Sequence, residues 1–113
     1  METNRIDLTH KQQGDVLFTR ISTLPVGNAK AKPSDERGIV LAEGEVTGHY
    51  HGIADTEGAE LIAIGDRMLL RLDKLATVTH QEHKSITLEP GIWEIGVVRE
   101  WDYLAEMERK VVD

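Results

Sequence analysis

Cysteine is absent from this chain of 113 residues. That removes disulfides, thiolate zinc sites, iron–sulfur clusters and thiol nucleophiles together, so any bound metal has to be held by imidazole, carboxylate and water. Positive charge is scarce: 13 Lys plus Arg stand against 20 Asp plus Glu, a net charge of −7. The bases are scattered, and phosphate neutralisation needs them clustered, which argues against nucleic acid and against anionic membrane surfaces as partners. No apolar run approaches the length of a spanning helix, and the opening METNRIDLTH is polar, without the basic-then-apolar order of a signal peptide. The expected setting is cytoplasmic. P-loop, GxGxxG, GxSxG and HExxH patterns are also missing, so nucleotide hydrolysis and Rossmann-type redox chemistry have no support.

The length suits one compact domain with one site. Residues 1–13 carry only Ile6 and Leu8 as sizeable aliphatics and read as a flexible N-terminal arm or an edge addition, with the domain proper over 14–100. A first strand is expected where Val16, Phe18 and Arg20 alternate with Leu17, Thr19 and Ile21. A loop follows, marked by Pro25, Gly27, Pro33 and Gly38. From Gly38 onward come short runs separated by turn signals: GIVLAEGE, VTGHYHGI, AELIAI, RMLLRL, LATVTH, SITLE and GIWEIGVVREW. In RMLLRL, Met68, Leu70 and Leu72 share one face while Arg67, Leu69 and Arg71 share the other, the period of a half-buried strand. About seven such strands predict an all-β domain, a single compact β-barrel or jelly-roll-like sandwich. Trp93 falls in line with Ile95 and Val97, as a core or subunit-contact residue. Over 101–113, Trp101, Leu104, Met107 and Val111 recur at helical spacing and predict a short C-terminal helix or tail, with Asp102 near its start.

Four of the five histidines form two couplets. His49 and His51 lie at i and i+2, which on a strand point to one side, roughly 6.6–6.8 Å apart at Cα. Two imidazoles so placed can share an ion at Zn–N distances of about 2.0–2.1 Å. Tyr50 is then on the opposite face, and Gly48 and Gly52 remove bulk beside the pair. His80 continues the Ala76 and Val78 face of its strand. Thr79 and Glu82 have capping-box spacing, which predicts one helical turn that brings His83 to the same side as His80 and leaves Glu82 off it. His49, His51 and His80, with His83 as a fourth or with a water in its place, are therefore the expected ligands of one divalent transition metal: Zn, or Fe, Mn, Ni, Co or Cu. Glu45, Asp55 and Glu57 are read as turn or surface acids, and Glu82 and Tyr50 as the candidate acid or base of any reaction on a small-molecule ligand. His10 falls in the arm.

The order HYHGIAD followed by a further histidine in a β-rich chain resembles the cupin family, over about residues 44–92. The resemblance implies a small jelly roll with His49, His51 and Asp55 at the ligand positions of the first motif and His80 as the histidine of the second. The chain has Asp55 where that family usually has Glu, lacks the PxG before the second histidine and has His83 in addition. GEVTGH, THxEH, IxL, PG and REWDY also make it similar to small uncharacterised bacterial proteins. A metal-binding β-barrel, with or without enzymatic activity, is the first expectation. The alternative is a non-catalytic accessory or interaction module, a homo-oligomer whose histidines form a structural or pH-sensitive cluster, with the apolar stripe of WDYLAEMERKVV packed on a neighbour.

Overall fold

A computed structural model describes residues 10–44 and 48–97. It contains ten strands among the described residues and no helix there. A six-stranded antiparallel sheet is built from β1 (His10–Gln13), β2 (Val16–Ile21), β3 (Ala29–Lys32), β6 (Ala59–Ile64), β7 (Arg67–Leu72) and β10 (Gly91–Val97), in the order β1-β2-β10-β7-β6-β3. Two ribbons account for the other strands among the described residues, β4 (Ile39–Glu43) with β5 (Tyr50–Ile53), and β8 (Ala76–Val78) with β9 (Ile86–Leu88). The ribbons are joined to each other between Gly52 and Thr79, each donating its N–H to the other's carbonyl, at 3.0 and 2.9 Å.

Alternation explains how the ribbons lie on the sheet. Val16 and Phe18 of β2, Leu70 and Leu72 of β7, and Trp93 and Ile95 of β10 turn to one face, where they meet Ile39 and Leu41 of β4, Ile53 of β5, Val78 of β8 and Leu88 of β9. Leu69, between Leu70 and Met68, belongs to a second cluster with Ile62 and Ile64, covered by Ile21 and Leu24. The period-two expectation for RMLLRL thus holds: Leu70 and Leu72 join the main core and Leu69 turns the other way. Trp93 is 1% exposed, and its indole N–H donates to the Glu89 carbonyl at 2.9 Å. It is a core residue.

The all-β class stands, with more strands than the hydropathy pattern predicts. Two of the additional ones are edges. β1 pairs with β2 and adds residues 10–13 to the sheet; β3, AKAK, pairs with β6 inside the stretch expected to be loop, and all four of its residues are exposed. An edge strand held by backbone bonds needs no apolar period, and lysine is a common edge residue because its charge discourages further strands from adding. Among the described residues the sheet is open, with β1 and β3 at its margins, and does not close on itself as a barrel. The expected C-terminal helix, Trp101 and Glu45 lie outside the described residues, as do residues 1–9. Among the described residues no helix is long and apolar enough to cross a membrane.

Trp93 fills the centre of the main core, so Trp93→Ala is expected to cost about 3–5 kcal/mol of folding free energy, and Trp93→Phe clearly less. Urea denaturation followed by circular dichroism measures both; equal losses would contradict the packing role.

Candidate histidine site

The four histidines of the two couplets come together at one cavity of about 410 Å³, lined also by Gly14, Asp15, Ala42, Glu43, Gly44, Glu82 and Val97. Strand topology does this. The β6–β7 hairpin lies in the large sheet, while β5 and β8, which flank it in sequence, meet in the other layer through Gly52 and Thr79. That bridge places His51 beside His80, with ring centres 4.3 Å apart. His80 in turn lies 4.5 Å from His83 and 5.6 Å from His49, and His51 stacks nearly parallel to His83 at 6.1 Å. His49 and His51 face the same cavity as their spacing predicts. The Tyr50 ring lies under the Arg37 guanidinium, 5.0 Å away, and does not line the cavity.

The segment 80–83 is tied at several points. Before it, Thr79 is bonded to Gly52; within it, the Gln81 amide oxygen accepts the Tyr50 N–H at 2.8 Å; after it, the Lys84 carbonyl accepts from Gln13 Nε2 at 2.8 Å. It forms a bend and not the expected helical turn. The reason is that Thr79 is already committed: its backbone pairs with Gly52 and its hydroxyl donates to the Gly52 carbonyl at 3.4 Å, so it does not cap the segment. The His80 ring substitutes, with Nδ1 accepting the Glu82 N–H at 3.0 Å. This also brings Glu82 to the cavity lining, where its Oε1 lies 3.6 Å from His49 Nδ1.

His51 is the most deeply set of the four, 5% exposed. Its Nδ1 is 2.7 Å from the Oε1 of Gln13, itself buried, and its Nε2 is 3.4 Å from Asp15 Oδ1. Burial is the main influence holding the His51 imidazole below its ordinary value of 6.5, reinforced by the nearby His80 and His83 and opposed by Asp15. His80 is lowered too, by loss of water first and then by His83 and His49. At these two positions the surroundings favour the neutral ring. Neither Gln13 nor Asp15 is marked by any histidine or cysteine spacing, and residue 13 falls in the stretch read as an arm. The only sequence sign is the turn itself, Gly14 between two strand-forming runs.

The remaining expectations separate cleanly. Asp55 is outside the cavity lining: its Oδ1 accepts the Glu57 N–H at 3.2 Å and its Oδ2 lies 3.6 Å from Lys74 Nζ. A residue four beyond His51 has already left the strand, and the following turn takes it to the surface. Glu57 also pairs with Lys74 there. His10 contacts Thr19 and takes no part in the site. Among the described residues, no three His, Asp or Glu side chains present their donor atoms as a metal shell, although the rings converge. In the neutral His80 ring, an Nδ1 that accepts from Glu82 leaves the proton on Nε2.

A family model for a domain of unknown function, DUF8820, matches residues 12–98. The chain belongs to this family. The matched segment begins just before Gln13 and takes in the turn at 13–15 as well as both histidine couplets, while His10 lies outside it. No curated protein and no solved structure matches the chain.

The lowered imidazoles set the sign of the acid response. Histidines that titrate below 6.5 when folded bind fewer protons than the unfolded chain does around and below that pH. Their contribution to stability is complete above 6.5 and is lost as the pH falls through that value toward the lower folded-state values. Thermal melts from about pH 7.5 to about pH 5 are expected to show a falling melting temperature, with a shallower slope in His80→Asn. A melting temperature that rises over this window in the wild type would contradict the assignment.

Proposed function

We propose that this protein is a metal-binding β-domain of cupin-like, jelly-roll character, in which His49, His51, His80 and His83 hold one divalent transition ion. The observation that carries the reading is the convergence of all four rings on one cavity. With metal–nitrogen bonds of about 2.0–2.1 Å, imidazoles sharing an ion have ring centres roughly 4.5–5.2 Å apart. The four measured separations, 4.3, 4.5, 5.6 and 6.1 Å, bracket that range. The donor chemistry fits as well: neutral rings are what an ion requires, and the surroundings of His51 and His80 favour them.

Assembly of the shell through His80 Nε2 calls for the loss of one hydrogen bond, that from the Glu82 N–H to His80 Nδ1. A typical net cost of about 0.5–1.5 kcal/mol is small beside the roughly 10–16 kcal/mol that structural zinc contributes in zinc-finger peptides. Support for the jelly-roll reading is the nesting of strands, with the β6–β7 hairpin in one layer enclosed by β5 and β8 in the other. Against a close cupin parallel stands Asp55, which is paired with Lys74 at the surface. The cavity volume is in the range of small-molecule sites, so an ion with an open position would act there on a small ligand as a Lewis acid or through an activated water.

A second reading is favoured by the engaged donor atoms: a polar histidine cluster that serves folding and pH response without an ion. Metal analysis separates the two. Purified protein is expected to take up about one equivalent of Zn(II), and His49→Ala and His80→Ala to lower that content markedly. Metal content unchanged in both variants, or absent from the wild type, would leave the second reading.

A further inference from the structure

The turn joining β1 to β2 touches the histidine cluster at three successive residues. Gln13 is 3% exposed, and its Nε2 donates to the Val78 carbonyl at 3.0 Å and to the Lys84 carbonyl at 2.8 Å. Both amide hydrogens are thereby spent, and a flipped amide would set its oxygen against two carbonyl oxygens, so Oε1 has to face His51. The His51 Nδ1 at 2.7 Å is then the donor of that bond, which leaves the lone pair of the neutral ring on Nε2. At 3.4 Å from this nitrogen stands Asp15 Oδ1. A ring lone pair and a carboxylate that face each other repel unless something positive sits between or beside them. Gly14, between the two, has φ +59°, and a Cβ there would lie 2.5 Å from His83 Nε2, so the turn backbone passes directly under the His83 ring.

We propose that Asp15 is an oxygen donor to the divalent cation of this cavity, paired with His51 Nε2, and that Gln13 is the positioning residue that fixes the tautomer of His51. This rests on the metal-binding reading and changes its content. The shell becomes mixed nitrogen and oxygen, with a carboxylate supplied by the β1–β2 turn and not by Asp55, and a hard anionic donor makes Mn(II) and Fe(II) suitable occupants alongside Zn(II). The positioning role follows the general rule that a ligating imidazole is oriented by the group that accepts its other N–H.

The test uses the full chain and two readouts, neither of them an activity. Co(II), followed by its visible absorption, and Zn(II), by competition with a chelator, are titrated into wild type, Asp15→Asn, Asp15→Glu and Asp55→Asn. The expected result is a loss of about tenfold or more in affinity for Asp15→Asn, recovery in part for Asp15→Glu, and wild-type binding for Asp55→Asn. The Asp15 side chain is 62% exposed, so these variants are expected to keep the fold. In metal-free wild type, ring-nitrogen NMR is expected to show His51 protonated at Nδ1 and bare at Nε2, and Gln13→Leu to give a mixture of tautomers. Wild type that takes up neither ion overturns both the donor assignment and the metal reading. Asp15→Asn that binds like wild type overturns the donor assignment alone. A proton on His51 Nε2 in the neutral wild-type ring overturns the role of Gln13.

Discussion

Two backbone hydrogen bonds between Gly52 and Thr79 govern where the histidines of this protein gather. Between β5 and β8 the chain leaves the second layer, forms the β6–β7 hairpin in the large sheet and returns. The bridge closes that excursion and sets the histidines on either side of it within ring contact. Glycine is suited to the position because a Cβ there would lie about 3.0 Å from the Tyr50 ring and 3.1 Å from the Ile39 carbonyl. Strand β4 and the Tyr50 ring both crowd against residue 52 where it pairs with Thr79. The close backbone approach and the histidine contact are thus one constraint, met by a residue with no side chain.

The features legible in the sequence were those carried by period and by spacing. Alternation of Val16 with Phe18, of Leu70 with Leu72 and of Trp93 with Ile95 marks strands because one face of each is buried against aliphatic neighbours. The i, i+2 relation of His49 and His51 needs only an extended backbone. Edge strands escape this kind of reading: β3 is held by backbone bonds to β6 and shows nothing but exposed alanine and lysine. The 79–83 segment escapes it for another reason. Thr79 and Glu82 have the residue types and spacing of a helix cap, yet a tertiary partner 27 residues away takes the threonine hydroxyl first. Local pattern loses to a long-range bond that no local window contains.

Gln13 and Asp15 illustrate the same limit at the site. Glutamine is ordinarily a surface residue, and nothing in KQQGD sets one of its two glutamines apart. Only the register of β1 against β2, with Gln13 opposite Val16, turns that side chain toward the core. Once there, its amide is fully satisfied, two carbonyls accepting and one imidazole donating, which is the condition under which a buried polar group is tolerated. The side-chain amide of its neighbour Gln12 donates to the carbonyl of Gly14, and that residue stays exposed. The difference between an ordinary surface amide and one that orients a histidine is a single step of strand alternation.

Gln13 also ties the site to the order in which the chain can fold. Its two acceptors lie 65 and 71 residues further along, at Val78 and Lys84. During synthesis the β1–β2 turn emerges first, and its amide has only water to bond until the second ribbon exists. Its hydrogen bonds to those carbonyls are therefore long-range ones, and each carries the entropy cost of closing a long loop. The histidine arrangement therefore needs both layers in place, because the Gln13 amide and the His51–His80 contact each join residues far apart in sequence.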